Sequence, residues 1–194
     1  MDIKRFFSTS GVKGTKNYLN TQKKYEIIRT IIYFGISLSL LFAGWYTTKT
    51  RNNLLTIVAV LGCLPASKSL VEAVLYCRFQ SLSSEDAACI EPHTKKLSCL
   101  YDMIFTSREK TYPILHLTVC GNTIAGYMPS KKLSEANCAK HLETCLKTDS
   151  YTGITIKIFK DVHKYAERVA QLETLPADEK LTAGILHTLK SIAL

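Results

Sequence analysis

The chain has no Cys-x-x-Cys pair, no nucleophile elbow, no Gly-rich oxyanion loop, no internal repeat and no low-complexity tract. The first absence argues against a zinc site, whose ligands typically come as closely spaced pairs. The next two remove the usual sequence marks of a hydrolase nucleophile. No long linker divides the 194 residues, which suffice for one ordinary domain and a smaller element. The absence that organises the rest is one of charge. No residue between Arg29 and Lys49 is charged, and none from Leu54 to Ser67.

The first uncharged run places Ile31, Ile32, Phe34, Ile36, Leu38, Leu40, Leu41 and Phe42 on every side of a helix. A helix apolar all round is either buried in a large core or in a membrane. A bilayer core about 30 Å thick needs about 20 residues, and Thr30 to Thr48 meets that. Trp45 and Tyr46 stand at its far end, where amphipathic rings favour the headgroup level. The second run is shorter: Pro65 and Lys68 come early, with Glu72 one turn on as an i,i+4 partner for Lys68. Lys68 can snorkel along its stem, and Pro65 is expected to kink the helix. A re-entrant or interfacial helix is the alternative for this run. The pair predicts a transmembrane helical hairpin over 27–78 with a turn through Lys49 and Arg51.

Charge is distributed unevenly. Residues 1–78 hold 11 Lys+Arg against 3 Asp+Glu, and residues 79–194 hold 14 against 13. The basic excess therefore lies beside the apolar runs, which favours anionic lipid headgroups as a partner of the arm and gives the domain no basic footprint for nucleic acid. The arm, 1–26, carries Lys4, Arg5, Lys13, Lys16, Lys23 and Lys24, against two basic residues in the turn. That bias predicts both termini in the cytosol. The arm does not read as a cleaved signal peptide, because its apolar segment starts late and is too long. Ser10 to Lys16 lacks the spacing of a phosphate loop. Gly11 and Gly14 read instead as a flexible entry to a helix capped near Thr15.

Residues 79–194 predict a cytosolic α+β domain with the order αβββαβαα and a mixed or antiparallel sheet. Ser83 or Ser84 caps a first helix, ended by Pro92. Strands follow at Leu97 to Ser107, Tyr112 to Cys120 and Thr123 to Met128, the last two joined by Gly121-Asn122. Leu115, Leu117 and Val119 are expected on one face. Ser130 to Lys147 is an amphipathic helix and Thr152 to Lys160 a strand, with Ile154, Ile156 and Ile158 alternating. Asp161 caps a helix whose inner face is Val162, Tyr165, Ala166, Val169 and Leu172. Pro176 breaks it, and a last helix carries Leu181, Ile185, Leu189 and Ile192.

Over Ser83 to Lys160 this order is similar to the αβββαβ core of the restriction-endonuclease-like nucleases. The resemblance implies a metal-binding acid near His116 and a Glu-x-Lys near Ile124 to Gly126. Neither is present, so a shared fold would lack the chemistry that holds Mg²⁺.

Three groups remain as candidate sites. Cys138, His141 and Cys145 sit at i, i+3 and i+7, with Cys89, His93, His116 and Cys120 as further zinc ligands. Cys138 and Cys145 also fall on the core stripe, where free Cys packs as a small apolar residue. Asp102 and His116 with Ser107 or Cys120 offer the residue types of a hydrolase. Tyr101, Tyr112, Tyr127 and Tyr151 offer a ligand-binding or partner-binding face. None of these justifies assigning a catalytic, cofactor-binding or metal-binding residue. The sequence predicts a membrane-anchored cytosolic interaction or sensing domain with a protein partner in the membrane or cytosol. The alternatives are a membrane-anchored enzyme, either a hydrolase or a degraded nuclease-like domain, and a subunit of a larger membrane complex.

Overall fold

A computed structural model describes residues 13–48, 54–176 and 178–194. Lys4, Arg5 and the inter-helix turn at 49–53 lie outside the described residues. The chain forms two compact units: residues 19–80, and residues 13–18 together with 81–194.

The first unit is a pair of long helices, α1 (Tyr18–Thr48) and α2 (Leu54–Cys77). Both are long and apolar enough to cross a membrane. α1 starts well before its uncharged run, and α2 continues through Pro65. Their burial pattern is inverted. Beyond Tyr18 and Leu19, buried at the start of α1, the buried positions are Gln22, Glu26, Thr30, Ser37 and Gly44 on α1, and Ala59, Ala66, Ser69, Ala73 and Tyr76 on α2. The large apolar side chains, from Ile31 and Phe42 to Leu64 and Val71, face outward. Only 17% of each apolar window is buried.

Small residues bring the two backbones together: a Cβ on Gly62 would stand 2.7 Å from Ser37 Oγ. Thr30 Oγ1 and Ser69 Oγ share a hydrogen bond of 3.0 Å. One turn away, Arg29 bridges Glu26 on its own helix and Glu72 on α2, the latter at 2.9 Å. Gln22 Nε2 donates to Glu26 at 2.8 Å. Lys68 lies 4.0 Å from Glu72, the expected i,i+4 pair.

The second unit runs α3 (Ser84–Ile90), a 3₁₀ turn (Glu91–His93), β1 (Ser98–Thr106), β2 (Thr111–Cys120), β3 (Thr123–Tyr127), α4 (Glu135–Thr148), β4 (Thr155–Phe159), α5 (Val162–Glu173) and α6 (Glu179–Ile192). This is the expected αβββαβαα order. The sheet is mixed and ordered β1-β2-β3-β4, with β1–β3 antiparallel and β4 parallel to β3. Side-chain caps place the helix starts: Ser83 Oγ accepts from Asp86 N–H, and Asp161 Oδ1 from His163 and Lys164 N–H. α4 begins five residues later than predicted because Ser134, not a residue near Ser130, supplies the capping oxygen. Asp178 caps α6.

Two cores lie on opposite faces of the sheet. On the first, Leu100, Ile114, Leu117, Ile124 and Ile158 meet Cys138, Leu142 and Leu146 of α4 and Ile185 and Leu189 of α6. On the second, Leu115, Cys120, Ala125 and Tyr127 meet Tyr165, Val169 and Leu172 of α5 and Ile90.

Leu115 therefore does not share a face with Leu117 and Val119, as strict alternation predicts. Asp102, opposite it, has φ +53°, a left-handed value that Asp tolerates better than most residues. The pairing register is the same on both sides of this point, Tyr101 with His116 and Met103 with Ile114. What changes is which side chains face which core. Leu100 and Met103 both enter the first core, as do Ile114 and Leu117. Tyr101-Asp102 and Leu115-His116 form one paired irregularity, which turns the Leu115 and His116 side chains toward the same face.

Residues 13–18 belong to this unit, so Gly14 is a docking point and not a loose entry. Its carbonyl accepts from Tyr101 N–H at 2.9 Å. At φ +83°, a Cβ there would stand 2.6 Å from Leu100 Cδ2, so only glycine fits. Lys13 Nζ donates to the Ala193 carbonyl at 2.8 Å, and Leu194 N–H to the Ile104 carbonyl at 3.0 Å. Residues 13–14 and 193–194 thus cover the outer edge of β1, an exposed edge that would otherwise invite pairing with another chain.

Candidate functional site

The paired irregularity brings His116 beneath α5. Tyr165 Oη lies 2.6 Å from His116 Nδ1 and 2.8 Å from Thr118 Oγ1. The Tyr101 ring stands edge-on to the imidazole with centroids 4.6 Å apart. Tyr127 stacks on Tyr165, centroids 5.9 Å apart, and its hydroxyl donates to Asp86 Oδ2 at 3.1 Å. Burial lowers the His116 pKa to about 4 and holds the Tyr165 phenol well above its ordinary value. At neutral pH both groups are therefore uncharged. His116 Nε2 is buried without a hydrogen-bond partner among the described residues, which costs about 1–3 kcal/mol when nothing compensates.

These residues make a specific but closed arrangement. His116 and Tyr165 are both 0% exposed. A general base must come within hydrogen-bond reach of a substrate proton, and His116 presents no surface to solvent among the described residues. Asp102 is also buried, and its Oδ1 accepts from Leu82 N–H at 3.0 Å. Cys120 lies four residues along β2 from His116, about 13 Å at ordinary strand rise, and its Sγ faces the Leu172 carbonyl at 3.6 Å. A nucleophile and its base must meet at about 3 Å. Ser107 lies in the β1–β2 turn, where its N–H donates to the Lys110 carbonyl. The structure therefore does not assemble Asp102, His116 and Ser107 or Cys120 into one site.

The other candidates separate in the same way. Among the described residues, no three His, Cys, Asp or Glu side chains converge as a metal site. Cys138 points into the first core, and burial raises its thiol to about 12. Cys145 sits 3.9 Å from His141 Nε2 at the margin of the same helix. The four tyrosines do not form one face: Tyr112 is in the first core and Tyr127 in the second. Tyr151 packs on the first core, and Tyr101 lies against His116. The positions that the nuclease resemblance makes catalytic hold His116 and the buried Ile124, Ala125 and Gly126.

A groove of about 570 Å³ lies among Leu97, Val119, Leu175 and Leu186, with Lys96, Glu173 and Glu179 in its lining. No histidine or cysteine lines it. What sequence reasoning missed is Tyr165 as the centre of the polar cluster. Its place on the inner stripe of α5 was legible, but its two hydroxyl partners on β2 were not.

No protein-family model, no curated protein and no solved structure matches the chain.

Proposed function

We propose that this is a membrane-anchored protein whose α1–α2 hairpin spans the bilayer and whose α+β unit serves in the cytosol as an interaction or sensing module. The observation that carries this reading is the inverted hairpin, with Thr30, Ser37, Gly44, Ala59, Ala66 and Ser69 inside and Ile, Leu, Val and Phe outside. In water that arrangement exposes the wrong surface. In lipid it is favourable, because small and hydroxyl residues bring membrane helices together while tails solvate the rest. The charged pairs Glu26–Arg29 and Lys68–Glu72 sit where both apolar runs end, at the same level of the antiparallel pair. That level suits one headgroup region, and Trp45 and Tyr46 suit the other. The basic arm supplies the cytosolic bias.

The closed His116–Tyr165 cluster supports a non-catalytic module, because Tyr165 Oη is taken up by His116 Nδ1 and Thr118 Oγ1 and both rings are fully buried. A degraded nuclease-like domain is the second reading. The αβββαβ order favours it, and His116, Ile124 and Gly126 stand where its metal-binding residues would be.

Reporter fusions after Leu194 and within the 49–53 turn test the anchor and its orientation together. The expected result is a cytosolic reporter at 194, an external one at the turn, and protection of the C-terminal unit from external protease in intact cells. Cleavage of that unit by external protease would overturn the orientation. Release of the full chain by alkaline carbonate would overturn the anchor.

A further inference from the structure

The near-neutral average of residues 79–194 conceals a segregation of charge that the fold makes local. β3 and β4 are parallel neighbours, with Tyr127 opposite Phe159, and Met128 N–H continues the ladder to the Phe159 carbonyl at 2.8 Å. The chain leaving β3 passes to α4 on the first core, and the chain leaving β4 passes to α5 on the second. The two connections diverge to opposite faces outside the carboxyl ends of the strands, the usual binding place in parallel sheets.

Strand β4, the connections 128–134 and 160–161 and the first turn of α5 carry Lys131, Lys132, Lys157, Lys160 and Lys164 with His163, against Asp161 within them, Glu135 at the start of α4 and Asp86 at the Tyr127 hydroxyl. Asp161 is engaged as the cap of α5. None of the five lysines forms an ion pair among the described residues. The rest of the domain is left with nine basic and twelve acidic residues.

We propose that this end of the sheet is a docking face for anionic phospholipid headgroups, a second membrane contact in addition to the arm. The proposal rests on the membrane-anchor reading. Three observations select lipid over nucleic acid. The segments contain lysine and no arginine, and an ammonium is a hydrated point charge suited to a diffuse anionic surface, not to bidentate contacts. They offer no exposed aromatic platform for bases, since Tyr127 is buried and Phe159 is half-buried beneath the Lys157 ammonium, 5.4 Å away. Only residues 78–80 separate α2 from the domain, so the anchor keeps the domain at high effective concentration near headgroups. Each lysine near such a surface contributes about a fivefold gain in attraction.

The test is hydrogen exchange on the full chain in nanodiscs of phosphatidylcholine alone and of phosphatidylcholine with 30% phosphatidylserine. Amides of 130–134 and 160–164 are expected to exchange at least about fivefold more slowly in the anionic discs, the gain of a single lysine contact. The difference should vanish in 0.5 M salt, and also in the variant K131E/K132E/K160E/K164E, with β1–β3 exchange unchanged. The salt arm needs no variant and stands if the quadruple change fails to fold. Equal exchange in both discs overturns the proposal. Protection that appears only when a single-stranded oligonucleotide is added overturns it in favour of nucleic acid. Free exchange across α1 and α2 in both discs would instead overturn the anchor itself, a separate failure.

Discussion

Thr30 on α1 and Ser69 on α2 hold a hydroxyl–hydroxyl hydrogen bond of 3.0 Å across the hairpin. Thr30 also donates to the Glu26 carbonyl at 2.8 Å, a common satisfaction of a helix hydroxyl. Thr30→Val removes the interhelical bond while keeping shape. The expected cost is about 0.6 kcal/mol, the average for such bonds in membrane helix pairs, read from the denaturation midpoint in detergent. Gly62→Leu is expected to cost considerably more, because even a Cβ meets Ser37 at 2.7 Å. Equal effects would show that the two helices do not pack through this stripe.

Leu38 is 52% exposed in the middle of the first apolar run, whereas Lys68 lies beside Glu72 at the end of the second. Leu38→Arg is expected to lose about 2.5–3.5 kcal/mol of insertion free energy, and Lys68→Leu is expected to integrate normally. A glycosylation assay in microsomes compares the two. Equal integration would place the first span wrongly.

His116 sets a pH dependence with a definite sign. Its folded pKa of about 4 lies below the unfolded value near 6.5, so the unfolded chain binds the extra proton between these limits. Stability from the neutral imidazole is fully present above about pH 6.5, falls as pH drops toward 4, and levels off below. From pH 7 to pH 5 the loss is about 2 kcal/mol for a shift of this size. His116→Phe removes it. Denaturant midpoints at the two pH values, wild type against variant, measure the difference, and parallel shifts would show that His116 is not buried neutral.

Tyr165→Phe deletes one hydroxyl and leaves two buried partners, His116 Nδ1 and Thr118 Oγ1, without it. The expected destabilisation is about 1–3 kcal/mol. Thr118→Val with Tyr165→Phe should lose less than the sum of the single changes, since the groups share one network. Strict additivity in that double-mutant cycle would argue against the shared hydroxyl.

Cys138 should react slowly with thiol reagents in the folded protein, because its thiol is raised to about 12 and sits in the core. Elemental analysis of the purified chain is expected to give less than stoichiometric zinc. Stoichiometric zinc with unfolding on chelation would make Cys138, His141 and Cys145 ligands after all.

Much of the fold was legible because periodicity reports faces. The α5 stripe from Val162 to Leu172, the caps Ser83 and Asp161, and the αβββαβαα order all follow local rules. What failed was set by longer-range pairing. No local pattern announces that Asp102 takes a left-handed φ, so strict alternation put Leu115 on the wrong face. Tyr112 and Tyr127 look equivalent in sequence, yet they enter opposite cores. Ser130 and Ser134 are equal as caps until the path of Met128 to Leu133 is known. The candidate site was misread for the same reason: His116 was visible, but its partner Tyr165 lies 49 residues away.

The bond from Tyr101 N–H to the Gly14 carbonyl constrains topology without reference to charge. Gly14 precedes the hairpin and Tyr101 follows it, yet both belong to one folded unit. The two ends of the intervening segment therefore share a compartment. A chain that pierces a bilayer between Tyr18 and Ser81 must do so an even number of times. One full crossing by α1 with a re-entrant α2 is odd and would tear Gly14 from β1. In a membrane, the two helices cross together or neither crosses, and the domain stays on the side from which the hairpin entered.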